Sequence, residues 1–152
     1  MKKKDVVAII GDKEYETLQK AINEAGAGDT ILLKKDIKEN VSIRKGVIID
    51  LGGHSLSGTD KIPVDINASG KAVTIKNGSI VGIKSAYTGS PAAIKISNTP
   101  INLEGISITG CSGPGAAIVD SSYTSSGTLS RLTNVTISGN KSQCIWGDRP
   151  MI

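Results

Sequence analysis

Asp50, Asn102 and Arg131 occupy the same place in three copies of one ten-residue pattern, and a carboxylate, an amide and a guanidinium held together could do chemistry. The copies are IDLGGHSLSG (49–58), VTIKNGSIVG (73–82), INLEGISITG (101–110) and SRLTNVTISG (130–139). A lyase acting on an acidic polysaccharide needs carboxylates to hold calcium and a nearby Arg to take a proton. A glycoside hydrolase needs two or three carboxylates grouped on one face. Place two of the pattern reads Asp50, Thr74, Asn102, Arg131. Its ends lie three repeats apart, about 14 Å if each repeat adds one strand spacing, which is too far for a pair acting on one bond. Place four reads Gly52, Lys76, Glu104, Thr133, and the segments after the pattern offer Asp65, Lys95 and Asp120. Adjacent repeats never supply two acids at one place, so these columns read as a solvated strand face. Asp50, Asn102 and Arg131 stand as weak candidates, with no catalytic group, metal site or cofactor expected. His54, the one histidine, falls at place six and reads as a corner or partly buried structural residue.

Two other stretches suit binding rather than catalysis. SAYTGSP (85–91) and SSYTSSG (121–127) each set a Tyr among small polar residues. Tyr with Ser and Gly makes adaptable contacts, so Tyr87 and Tyr123 are the candidate ligand contacts, with carbohydrate the partner that an exposed Tyr could stack on. The first loop precedes a strand and the second follows one, so they belong at different corners. The outward hydroxyls at places seven and nine also form a flat array of the kind that binds ice, but Val81 and the loop-bearing repeats argue against it.

The elements that position these residues follow from the pattern. Places one, three and eight are mostly apolar, while seven and nine are small and mostly polar. Side chains alternate sides along a strand, so the apolar set points inward and the hydroxyl set outward. Gly or Asn at place five (Gly53, Asn77, Gly105, Asn134) suits a corner with positive φ. A second short strand follows each copy: 63–66, 92–96, 116–119 and 143–146. The repeats step by 24, 28 and 29 residues, so the ten residues stay fixed while a loop varies. One coil cannot bury its own inward face; stacked coils bury it continuously. The expectation is an all-β, right-handed parallel β-helix in a single domain over 1–152. Residues 1–28 cap it and 29–152 form the coils. Leu51, Ile75, Leu103 and Leu132 should stack in one ladder, and Leu56, Ile80, Ile108 and Ile137 in another.

The start of the chain reads as the cap. Val6 to Ile10 is a short strand, Gly11-Asp12 a tight turn, and Lys13 to Glu16 the return. Thr17 can N-cap a helix whose apolar face is Leu18, Ala21, Ile22 and Ala25, with Gly26 as the stop. Such a cover protects an otherwise unpaired edge.

Composition agrees. With no Phe, one Trp and 18 Gly, a core must be built from Ile, Val, Leu and Ala. The net charge of +4 suggests nucleic acid, yet the Lys and Arg are scattered through the N-terminal third and the aromatics that stack bases are missing. Cys111 and Cys144 sit at different places in the repeat and read as small, buried or semi-buried residues rather than a disulfide or metal pair. VVAII is shorter than a signal-peptide core and nothing approaches a membrane span. The sequence leaves the location open: inside a cell or virion, or outside the cell if an export signal is missing from this sequence.

The segment EYETLQKAINEAGAGDTILLKKDIKENVSIRKGVIIDLGGHSLSG (14–58) resembles the cap and first coils of the pectin-lyase-like right-handed parallel β-helix superfamily. The likeness is to modules of Gram-positive surface proteins and phage structural proteins. It rests on Tyr15, Thr17-Leu18, Ala21, Gly28-Asp29-Thr30 and Asp50-Leu51-Gly52-Gly53. The resemblance implies a non-catalytic module, structural or glycan-binding, of a phage particle or bacterial surface assembly. Its alternative is a polysaccharide lyase or glycoside hydrolase. At the other end the sequence supplies no comparable cover after Gly139. Trp146 falls near the last layer, so this end is expected to pack against another chain, or to be closed by Trp146 and Met151 folding over it.

Overall fold

The computed structural model describes residues 4–121 and 130–147, for 142 and 143 the backbone alone. The chain is a parallel β-solenoid of about four turns. Strands β1 (Ala8–Ile10) and β2 (Lys13–Tyr15) form an antiparallel hairpin, with Gly11 at φ 59° in the turn. Helix α1 (Leu18–Glu24) starts at Thr17, whose side chain accepts the Lys20 N–H at 3.1 Å. It ends at Glu24, with Ala25 already extended at φ −58° and ψ 141°. The left-handed residue of the exit is Gly28 (φ 83°) and not Gly26, because the Asp29 carboxylate takes the Gly26 N–H at 2.7 Å and turns the chain there.

Two sheets follow. The first contains β3 (Thr30–Leu33), β6 (Ile48–Asp50), β9 (Val73–Val81), β11 (Ile101–Thr109) and β13 (Arg131–Thr133). Beside the second halves of β9 and β11 it adds β4 (Ile37–Lys38), β7 (Ser55–Ser57) and β14 (Thr136–Ile137). The second sheet runs β15 (Lys141–Gly147), β12 (Ser112–Asp120), β10 (Pro91–Ile96), β8 (Val64–Ile66), β5 (Val41–Ile43). All pairs between coils are parallel, and only the hairpin joins antiparallel, through Ala8↔Leu33 and Ile9↔Leu32.

Inward columns run through the stack, and three of them are aliphatic from end to end. One is Ile31, Ile49, Ile75, Leu103 and Leu132. A second is Ile37, Leu56, Ile80, Ile108 and Ile137. The third is Val41, Val64, Ile94, Ile118 and Ile145. The Leu56 ladder is the one expected. The first column differs, since Ile49, and not Leu51, lies beside Ile75. The first repeat holds two extra residues. There Leu51 to His54 make a turn, closed by the His54 N–H on the Leu51 carbonyl at 2.8 Å, with Gly52 at φ 59° and Gly53 at φ 82°. Later coils bend with one left-handed residue, Asn77 (φ 61°), Gly105 (φ 60°) or Asn134 (φ 50°).

That single corner residue also resets the alternation. In β11, Glu104 and Gly105 are both exposed while Ile106 is buried. In this coil place six is therefore inward, and not a corner position. At Gly78 a Cβ would lie 2.5 Å from the Leu51 Cβ and the His54 carbonyl, so Leu51 of the preceding coil fills the room that Gly78 leaves.

Burial grades along the stack. Ile31, Ile49, Ile75 and Leu103 are fully buried, while Leu132, Val135 and Ile137 only lean on the core. Cys111 is buried, and burial pushes its thiol up to about 11. Cys144, expected to be at least semi-buried, is exposed, because β15 is the last strand of its sheet.

Truncating Leu103 to Ala should cost about 2–5 kcal/mol, as for other fully buried Leu side chains. The same change at Leu132 should cost distinctly less, because part of that side chain already meets water. Urea unfolding of the two variants measures both, and equal losses would contradict the graded burial.

Candidate functional site

The outer face of the first sheet carries the residues with the most chemistry. Asn102 and Arg131 are neighbours in register, in a column that continues through Thr74, Ile48 and Thr30. The ten-residue pattern places Asp50 in that column, and the structure does not: the two extra residues of its coil move it next to Lys76. Its column is Leu32, Asp50, Lys76, Glu104, Thr133. The three weak catalytic candidates are therefore not brought together.

What Asp50 does is local. Its carboxylate accepts the Gly52 N–H at 2.9 Å and the Asn77 amide at 3.2 Å, so it ties two successive corners. Along the stack Asp50, Lys76 and Glu104 alternate in sign at about 4.8 Å per step. Opposite charges on neighbouring strands attract, and Lys76 stands in register between the two acids of this ladder.

The remaining polar candidates disperse. Asp65 faces out, held by Arg44 at 2.9 Å, with Lys95 next in register. Asp120, read as part of the same solvated face, pairs with Ile96 instead and is buried, where it has a partner. His54 stays at the corner, its Nδ1 3.5 Å from the Asp36 carboxylate. The Ser55 N–H first, then His54, hold the Asp36 carboxyl below the ordinary carboxylate range. Among the described residues, no three of His, Cys, Asp and Glu gather to hold a metal ion. No helix among them is long and apolar enough to cross a membrane.

Tyr87 is presented differently. It is 68% exposed, at the top of a turn in which the Ser90 N–H and hydroxyl both donate to the Tyr87 carbonyl, at 3.0 and 2.6 Å. Gly89 takes φ 82°. Below the turn, the buried Ser85 hydroxyl donates to the Ser112 carbonyl at 3.0 Å and accepts the Gly115 N–H at 2.8 Å. An apolar ring is thus held out on a braced support. Tyr123, Pro150 and Met151 lie outside the described residues.

Two more features lie at the ends of the solenoid, and only the first was not legible in the sequence. One is a shallow recess of about 270 Å³ between hairpin and helix, lined by Lys4, Lys13, Tyr15, Glu16, Lys20 and Glu24. Its charges are internally matched: Lys13 meets Glu24 at 2.6 Å and Lys20 meets Glu16 at 3.3 Å. Lys13 holds the Glu24 carboxyl below its usual range, and Glu24 raises Lys13 in return. The other is the contrast between the ends of the solenoid. The last coil leaves Ile145 38% and Trp146 42% exposed. Trp146 lies on the outward column Asp65, Lys95, Val119, Trp146, beside Val119, while Ile145 ends the inward one.

The fold and the placement of these residues define a class: a parallel β-solenoid capped at its N-terminal end, with an exposed Tyr turn and an apolar last coil. Comparison with models of protein families, with curated proteins and with solved structures gives no match.

Two outcomes follow from the geometry. Asp50→Ala should cost about 0.5–1.5 kcal/mol through its lost corner bonds, while Asn102→Ala and Arg131→Ala should leave urea midpoints nearly unmoved. The Glu24 contribution to stability is full above its unfolded pKa and is lost as pH falls through its lowered folded value. In Lys13→Ala the Glu24 titration, followed by carboxyl NMR shifts, should move back up toward the ordinary range.

Proposed function

We propose that the chain is a non-catalytic structural module of the pectin-lyase-like kind, as in phage particles or bacterial surface assemblies, and that it joins its assembly through the last coil. One observation carries this reading: the first coil is covered by hairpin and helix, while the last coil leaves Ile145, Trp146 and part of Leu132, Val135 and Ile137 to water. An apolar end whose strands pair on one side only, among the described residues, favours a partner. Two copies meeting by their last coils bury this layer on both sides, and because the other ends are closed, association stops at a pair. The separation of Asp50 from the neighbouring Asn102 and Arg131 speaks for a structural role over a lyase or hydrolase.

Glycan binding is the second reading, favoured by Tyr87 on its braced turn. A sugar face stacked on this ring would be lost in Tyr87→Ala with the fold intact.

Light scattering of the intact protein should show concentration-dependent association that Trp146→Ser weakens. A strict monomer at high concentration would overturn the proposal. Incubation with pectate, other uronates and neutral glycans, with and without calcium, should give no turnover. Release of unsaturated products would restore the lyase reading.

A further inference from the structure

We propose that Asn77 is a site of spontaneous covalent modification: it loses its side-chain amide to attack by the Gly78 backbone nitrogen, and the carboxylate left behind opens the corner that the amide now holds. Asn77 is the one asparagine of the chain followed by glycine. The attack closes a cyclic imide through the next peptide nitrogen, so it is fastest where the next residue has no side chain to hinder it. Both residue types are demanded by the fold. The corner needs a left-handed residue, and Asn77 takes φ 61°. The next position needs glycine, since a Cβ at Gly78 would lie 2.5 Å from the Leu51 Cβ. The packing that seats Leu51 against the next coil thus creates the reactive pair. The other asparagine corner, Asn134, is followed by Val135, whose branched side chain shields the peptide nitrogen.

The chemistry needs only water. Hydroxide takes the Gly78 N–H proton, the nitrogen bonds to the Asn77 Cγ, and the Cγ–Nδ2 bond breaks. The amide nitrogen leaves as ammonia, taking its proton from water. Water then opens the imide. Opening at the side-chain carbonyl gives aspartate at position 77, and opening at the main-chain carbonyl gives isoaspartate, which adds a carbon to the backbone. Asn77 is exposed, so water reaches it. The native corner holds the reaction back. The Asn77 carbonyl accepts the Gly53 N–H at 2.7 Å, its amide donates to the two Asp50 oxygens at 3.2 and 3.3 Å, and Gly78 is in register with Ile106. Ring closure has to turn the Asn77–Gly78 peptide, so it proceeds from a corner that has let go. Afterwards the same corner cannot re-form. An aspartate at position 77 sets its carboxylate against Asp50 where an amide donated, and like charges on neighbouring strands repel. An isoaspartate lengthens β9 between Lys76 and Gly78, both of which are paired with β11. The conversion runs one way and so marks the age of the molecule.

Peptide mapping by mass spectrometry follows the folded full chain through a long incubation at mildly alkaline pH. Asn77 should convert to a mixture of aspartate and isoaspartate while Asn134 stays intact. Asp50→Ala, which frees the amide, should raise the Asn77 rate several-fold. Leu132→Ala loosens the last coil and leaves this corner alone, so it should convert at the wild-type rate. Equal conversion at the two asparagines, an unchanged rate in Asp50→Ala, or an equal rise in Leu132→Ala would each overturn the proposal. Asn77→Gly keeps a left-handed residue at the corner, as Gly105 does at φ 60°, and should show no mass change in this segment. The consequence is read separately, by urea unfolding. Asn77→Asp should lower the midpoint, and adding Asp50→Asn should recover much of the loss, because donor and acceptor are then exchanged across the same corner. An unmoved midpoint in Asn77→Asp, or a loss that Asp50→Asn fails to recover, would show that the new carboxylate does not open the corner and would overturn the proposal on that ground.

Discussion

Every coil of this molecule depends on its neighbour to bury its inward face. A single turn of Ile, Val and Leu exposes its apolar edge above and below, and only a second turn, one ladder spacing away, removes that surface from water. The three inward columns are the physical form of this dependence. They also account for the composition. A layer one strand thick has room for branched aliphatic side chains, which pack well on pleated surfaces, and the sequence contains no Phe at all.

Because stacking demands that each coil repeat the path of the last, the corners carry the specificity. A left-handed residue at Asn77, Gly105 or Asn134 bends the strand while keeping both halves in register with the coils on either side. The first coil solves the same bend with a four-residue turn at Leu51 to His54, and Asp50 ties that turn to the corner above. The outward chemistry is subordinate to this framework. Asp50 and His54 sit where the path turns, and their partners are backbone groups and neighbouring side chains of the turn. The ring of Tyr87, by contrast, is held clear of the surface on a support that is itself bonded to the next coil.

The same dependence makes the two ends the functional question. A stack of identical layers has no natural stopping point, so something must end it. At the N-terminal end the answer is a change of geometry: an antiparallel hairpin on one sheet, a helix with a strand-mimicking Gln on the other. At the last coil the inward columns run out at Leu132, Ile137 and Ile145, with burial falling away.

Much of this was written in the sequence, and the reason is that a solenoid is a local fold. Period-two alternation, a Gly or Asn at each corner, the capping face of Leu18, Ala21 and Ile22, and the Leu56 ladder all depend on neighbours close in the chain or one repeat away. What the sequence alone left undecided was where slack is taken up. Four copies aligned on their final Gly placed Asp50 beside Thr74, but two extra residues at a turn moved it beside Lys76 and separated it from Asn102 and Arg131. Likewise the left-handed corner turned place six inward, the register of β12 put Asp120 inside, and the place of β15 at the edge of its sheet left Cys144 exposed. A strand fixes its own alternation, but which of its faces is inward, and at what height, is set by the strands it pairs with. A register shift of a residue or two costs nothing in local preference, so only the stacked coils decide it.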